Sequence, residues 1–180
     1  MTAIARVVGS AREASVHRRL ALATAEVAGD DIDLDLLDGL DRLPLYNEDL
    51  DAHGSTPVEV SALRARLIAV DAVLLFAPAN NGTLSAVLKN AMDWASRPYG
   101  RSSLQDKPVA IVSAAHRTET VEQHAQLVVT IAGGVPVGPS ALFRLKGLDV
   151  DDPSVGHALR QALDALDEAV LGQEDRRRAS

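Results

Sequence analysis

The sequence predicts an α/β fold: a doubly wound parallel sheet of five strands in the order 2-1-3-4-5. Three observations carry this. The 180-residue chain alternates strand-like and helix-like segments five times, with short crossovers. Two of its apolar runs, Ala72 to Ala77 and Val109 to Ser113, are apolar on both faces, as central parallel strands are. A third, Asp31 to Leu37, reads Asp-Ile-Asp-Leu-Asp-Leu-Leu, and that alternation marks a half-exposed strand at a sheet edge.

The elements follow in chain order. Strand one is expected over Ala3 to Val8. Helix one starts after Ser15, a favourable N-cap, with Val16, Leu20, Ala23 and Val27 on one face. Strand two is the alternating edge segment. Helix two is expected to open at Thr56-Pro57-Val58-Glu59, a capping box with proline at the first helical position, and its stripe is Val60, Leu63, Leu67 and Val70. Strand three ends at Ala77. Helix three is expected from Leu84 through Arg97, with Leu84, Val87, Leu88, Ala91 and Met92 facing inward and Thr83 as a candidate N-cap. Helix four runs from about Thr120 to Ala132 and stops at Gly133-Gly134. Strand five lies within Val135 to Phe143. Helix five opens at Asp152-Pro153, carries Val155, Leu159, Leu163, Leu166 and Val170, and ends near Gly172. Residues 1–172 therefore read as one domain, and the charged tail from Gln173 to Ser180 is expected to fray. The loop from Asp38 to Ser55 is long, and loops of that length usually cover a ligand site or an interface.

Composition narrows the function classes. Hydrophobic residues make up 47% of the chain, enough to bury a full core. There is no cysteine, which excludes a disulfide framework, a thiol nucleophile and a Cys-ligated metal, and suits a cytoplasmic protein. A net charge of −7 disfavours nucleic acid as a partner. No apolar run approaches the roughly 18 residues of a membrane span, and no basic leader precedes strand one, so neither a membrane partner nor a signal peptide is expected. His53, His124 and His157 are scattered without metal-ligand spacing.

In a sheet of this order the ligand crevice lies outside the carboxyl ends of strands one and three. Two loops fall there. The first, Gly9-Ser10-Ala11-Arg12-Glu13-Ala14-Ser15, runs into helix one and continues to His17 and Arg18. It brings two hydroxyls and two guanidinium groups to a helix amino terminus, where backbone N–H groups favour an anion. It is neither a Walker loop nor a Gly-x-Gly-x-x-Gly fingerprint. The second, Pro78-Ala79-Asn80-Asn81-Gly82-Thr83, offers backbone amides and side-chain amides that both donate and accept, which suits the edge of a heterocycle. A phosphate-bearing planar ligand fits both loops. The plain alternative is that Ser15 only caps helix one, the arginines are solvated and the second loop is an ordinary turn.

Four ordered segments then carry a resemblance. They are Gly9-Ser10-x-Arg12-x-x-Ser15-x-x-Arg18, Pro44-x-Tyr46-Asn47-x-Asp49-Leu50, Pro78-x-x-Asn81-Gly82-Thr83 and Leu88-Lys89-Asn90-Ala91-x-Asp93-Trp94-x-Ser96-Arg97. Over about residues 4 to 146 the chain resembles the NAD(P)H-dependent FMN reductase family, which includes soluble quinone and chromate reductases of flavodoxin-like fold. The resemblance implies non-covalent FMN, NAD(P)H as co-substrate, a small-molecule acceptor and a homodimer or homotetramer. Carried over by position, Ser10, Arg12 and Ser15 match the phosphate site, with His17 and Arg18 beside them. Pro78 and Asn81 match the isoalloxazine loop, together with Ala79, Asn80 and Gly82. Ser113 opens the third flavin loop. Three departures stand out. Ala79 and Asn80 replace the usual Glu and Tyr, His17 replaces the usual Asn, and Ser113-Ala114-Ala115-His116-Arg117-Thr118 lacks the glycines that normally follow the serine. The missing glycines bear on how closely backbone can approach a ring, and His116 and Arg117 either place charge there or are simply exposed.

No side chain is expected to act as an acid or base, because a flavin carries the chemistry itself. Two other readings remain open at this point, a flavodoxin-like electron carrier and an interaction module that binds flavin weakly or not at all. A phospho-receiver domain of the same topology is disfavoured, since it needs acidic residues where this chain has Gly9 and Ser10. Lys89, Asp93 and Arg97, spaced four apart, suggest a ladder of ion pairs on helix three, and Trp94 reads as a packing anchor.

Overall fold

The structure is a computed structural model that describes residues 1–51, 55–116 and 119–179. His53, Arg117 and Thr118 lie outside the described residues. Strand β1 is Thr2–Val8, α1 Val16–Val27, β2 Ile32–Leu37, α2 Val58–Ala69 and β3 Ala72–Phe76. A short hairpin, β4 Ala79–Asn80 and β5 Thr83–Leu84, precedes α3 Ala86–Ala95. Then come β6 Pro108–Ala115, α4 Glu119–Ile131, β7 Val135–Pro136, β8 Ala141–Arg144 and α5 Pro153–Ala179.

The main sheet runs β2-β1-β3-β6-β7, all parallel, with β8 also parallel to β6. Leaving aside the two-residue hairpin, this is the expected order. Each central strand feeds two cores through its period of two. Ala5, Val7, Val73, Leu75 and Ala77 face α2, α3 and α4, whereas Ile4, Val8, Leu74 and Phe76 face α1 and α5. β2 pairs only with β1, as its alternation predicts.

Several boundaries differ from the expectation. The fifth strand is split: β7 pairs with Pro108 and Val109, and β8 pairs with Val112 to Ala115. Pro136, at the end of β7, and Pro139, between the two, lack the N–H that a continuous ladder needs. The proposed capping box of α2 does not form, since Pro57 occupies the N-cap and no side chain caps it. The N-cap of α3 is Ser85 rather than Thr83. The expected charge ladder on α3 is half present. Lys89 and Asp93 pair at 2.5 Å, but Arg97 lies over the Tyr46 ring at 5.8 Å. Nor does the fifth helix end near Gly172: α5 passes through it to Ala179. Arg178 pairs back to Glu174, and basic residues 176–178 suit the negative end of a helix dipole.

The long loop holds two short 3-10 turns, Leu40–Arg42 and Glu48–Asp51, and is pinned to α3. The Asn90 amide accepts from Tyr46 N–H at 2.8 Å and donates to the Pro44 carbonyl at 2.9 Å. The Trp94 indole donates to the same carbonyl at 2.8 Å, and the ring is fully buried, edge-on to Tyr46. Arg64 closes this layer with a bidentate pair to Asp51 and a bond to the Trp94 carbonyl. Trp94 is thus the packing anchor the sequence suggested.

Candidate functional site

β1 and β3 are in register from Ile4↔Ala72 to Val8↔Phe76, so the two strands end side by side and their loops leave the sheet together. The Gly9 N–H donates to the Phe76 carbonyl at 3.0 Å and extends the ladder by one step. Above these ends lies a cavity of about 470 Å³, within the roughly 300–1,000 Å³ of small-molecule sites.

The loop after β1 turns into α1 through Ser15. The Ser15 hydroxyl accepts from His17 N–H at 3.1 Å and Arg18 N–H at 3.4 Å, so it caps the helix. The Glu13, Ala14 and Val16 amides make no hydrogen bond among the described residues. Ser10 accepts from Arg12 N–H at 3.3 Å. Arg12 is exposed at the cavity wall. It is the one permanent cation among the described lining residues, which include no carboxylate. Unsatisfied amides at a helix amino terminus, beside a guanidinium, form a cradle for an anionic group.

The second loop is the β4–β5 hairpin. Asn81 and Gly82 form its tip with positive φ, 52° and 81°, and both are exposed. Pro78, Ala79 and Asn80 line the cavity; Asn81 and Gly82 do not. His124 of α4 reaches Thr83 at 2.8 Å and ties the hairpin to that helix.

The third segment departs most from expectation. Without glycines it does not break into a loop after Ser113. β6 continues through Ala115, paired with β8 from Val112↔Ala141 to Ala115↔Arg144. Ser113 is fully buried and donates its hydroxyl to the Ala77 carbonyl at 2.8 Å, which removes its side chain from the cavity. Ala114, Ala115 and the exposed His116 supply the wall instead.

His17 and Arg18, adjacent in sequence, diverge. Arg18 turns to Asp38 at the end of β2, donating from Nε at 3.1 Å and from a terminal nitrogen at 2.7 Å, and it does not line the cavity. His17 does line it, but the ring is only 5% exposed, and Nε2 accepts the Ala114 N–H at 3.1 Å. Burial pushes its pKa down to about 4; a hydrogen bond with the Ala77 carbonyl opposes this, and the charge of Arg12 adds to it.

The cavity therefore gathers Ser10, Arg12, Ser15, His17, Pro78, Ala79, Asn80 and His116 from the expected set, and leaves out Arg18, Asn81, Gly82 and Ser113. It also takes in Ser85, Ala86, Val87 and Leu145, which the sequence reading missed. The signal for Ser85 was present, as a small hydroxyl residue directly before an apolar helical stripe. Leu145 carried none, since it arrives only because β8 docks on β6.

Comparison with known proteins adds independent support. A family model for NADPH-dependent FMN reductases matches residues 2–146. The chain is 41% identical over 109 residues to a 2-hydroxy-1,4-benzoquinone reductase from a Burkholderia species, covering 61% of this chain and 58% of that protein. It is 37% identical over 113 residues to an NADPH:quinone oxidoreductase of Arabidopsis thaliana, covering 61% and 56%. The chain thus matches somewhat less than two thirds of these relatives' length. Among solved structures, FerB, a flavoenzyme NAD(P)H:(acceptor) oxidoreductase from Paracoccus denitrificans, superposes with a TM-score of 0.82 at 27% identity, over 96% of this chain and 98% of that one. A WrbA-like flavodoxin from Agrobacterium tumefaciens shares the fold, with a TM-score of 0.64 at 22% identity over 94% and 98%. With its flavodoxin-like sheet, its crevice at the β1–β3 switch point and a family match over most of its length, the chain belongs to the NADPH-dependent FMN reductase family.

Proposed function

We propose that this protein binds FMN without a covalent link and uses it to pass reducing equivalents from NAD(P)H to a quinone or similar small acceptor. The observation that carries the proposal is the cavity at the β1–β3 switch point, with its one-sided charge. Arg12 and the amides at the start of α1 that make no hydrogen bond among the described residues give it an anion-binding end, and no carboxylate is among its described lining residues. In this reading Ser10, Arg12 and Ser15 hold the phosphate end. Pro78, Ala79 and the Asn80 amide border the ring, Asn81 and Gly82 turn the hairpin that carries them, and Ser113 braces the Ala77 carbonyl. The FMN, when bound, supplies the hydride acceptor. The protein binds it, orients it and keeps one face open.

A homodimer or homotetramer belongs to the same proposal. Leu45 in the long loop and Tyr99 in the segment after α3 are 81% and 90% exposed, surface that a subunit contact would bury. A cytoplasmic location, supported by the absence of cysteine, belongs to it too. Among the described residues no helix is long and apolar enough to cross a membrane.

Anaerobic stopped-flow mixing of the FMN-loaded protein with NADPH, and separately with NADH, tests the activity. Bleaching of the flavin band by either nucleotide, followed by reoxidation on adding a benzoquinone, is expected. Bleaching by a one-electron donor but by neither nucleotide would replace the enzyme with an electron carrier.

A further inference from the structure

Strand β3 ends at Phe76, opposite Val112, while β6 runs on to Ala115. The ladder between them continues for one more bond, from Ala77 N–H to the Val112 carbonyl at 2.8 Å. The next step of a parallel ladder would be Ala114 N–H to the Ala77 carbonyl. That bond is not made. The Ala114 N–H donates instead to His17 Nε2 at 3.1 Å, and the Ala77 carbonyl takes the Ser113 hydroxyl at 2.8 Å. An imidazole from α1 therefore stands where a strand-to-strand bond would close the sheet. Only a group that can accept the Ala114 N–H can take this place. Neutral imidazole does so, with Nε2 accepting and Nδ1 carrying the proton, and imidazolium cannot.

We infer that His17 is a positioning residue rather than a phosphate ligand: a neutral wedge that joins the amino end of α1 to the ends of β3 and β6 and fixes the Ala114–His116 wall of the cavity. The part of this inference that concerns flavin rests on the function proposed above. Geometry sets the side-chain requirement. An amide also accepts, so Gln can replace the wedge, whereas Leu fills the space but leaves the Ala114 N–H buried without an acceptor.

The test uses the full chain as wild type, His17→Gln and His17→Leu. Hydrogen exchange of the flavin-free protein is read first, at Ala114 and, as a reference for global opening, at Val73 and Ile111. The Leu variant is expected to lose protection at Ala114 alone, by roughly tenfold or more, the scale of one lost buried hydrogen bond, and Gln is expected to restore it. Unchanged protection at Ala114 in His17→Leu overturns the wedge whether or not flavin binds. Affinities for FMN and for riboflavin are then titrated. The wedge predicts that His17→Leu weakens both by the same factor and that Gln recovers both. Loss confined to FMN would make His17 a phosphate ligand and overturn the inference. A wild type that binds neither flavin refutes the proposed function and leaves the exchange result to decide the wedge.

Discussion

Ser85 and Gly9, 76 residues apart in sequence, are joined by a hydrogen bond of 2.6 Å from the serine hydroxyl to the glycine carbonyl. The same hydroxyl accepts the Leu88 N–H at 3.1 Å and so caps α3. One buried atom pair thus locks the turn after β1 to the start of α3, and the cavity between them inherits its shape.

Ser85→Ala should remove both bonds. A lost N-cap and a buried carbonyl left without its donor each cost on the order of 1 kcal/mol, so a total of about 2 kcal/mol is expected. Urea unfolding with an unchanged m-value is the measurement. A cost within a few tenths of zero would show that water or another donor replaces the hydroxyl.

Gly9→Ala should be destabilising through space alone. A β-carbon there would stand 2.8 Å from Leu88 Cβ and 2.9 Å from Pro78 Cδ, neither of which is the free end of a flexible chain. Overpacking of this kind costs roughly 1–3 kcal/mol. Thermal melting of Gly9→Ala beside wild type checks this, and an unchanged Tm would show that the Leu88 and Pro78 contacts give way without cost.

His17 makes stability depend on pH in a known direction. Its folded pKa of about 4 lies below the ordinary 6.5, so between these values the unfolded chain binds a proton that the folded one does not. Stability from this residue is full above about pH 6.5, falls as the pH drops from 6.5 towards 4, and levels off below. A depression of this size corresponds to on the order of 3 kcal/mol. Arg12 faces the ring from the loop before α1, and His116 lies beyond Ala114 on the cavity rim. Comparing wild type with His17→Gln by urea unfolding at pH 7, 6, 5 and 4.5 isolates the term. Parallel pH profiles for the two proteins would exclude it.

Arg12→Ala should weaken FMN about ten- to a hundredfold, since a charge-assisted hydrogen bond contributes roughly 1.5–3 kcal/mol. Riboflavin lacks the phosphate and should bind both proteins alike. Fluorescence titration of the two flavins reads this directly, and equal loss for both would move Arg12 away from the phosphate.

Asn80 lies exposed on the hairpin at the cavity edge. An added aromatic face contributes about 0.5–1.5 kcal/mol, so Asn80→Tyr should tighten FMN roughly two- to tenfold. Oligomer size is measured alongside. An altered oligomer with unchanged affinity would place position 80 at a subunit contact instead.

Local chemistry determined much of this protein. The doubly apolar run Ala72 to Phe76 is central because no exposed face suits it, and the Asp-Leu alternation of β2 is at an edge because half its side chains need water. Strand order followed, and with it the location of the crevice. Ser15 was legible as a cap because capping is a contact between neighbours in sequence. Only the tertiary structure decided the rest, because those outcomes depend on which groups are left unpaired when distant strands meet. β3 stops at Phe76 while β6 continues to Ala115, and that mismatch alone gives His17 an amide to accept. Arg18, one residue on, could not be read as turned away without knowing that the end of β2 brings Asp38 beside it. The hydroxyl of Ser113 went to the Ala77 carbonyl for the same reason: a buried acceptor must find a donor, and the one that reached it lay 36 residues away in the chain.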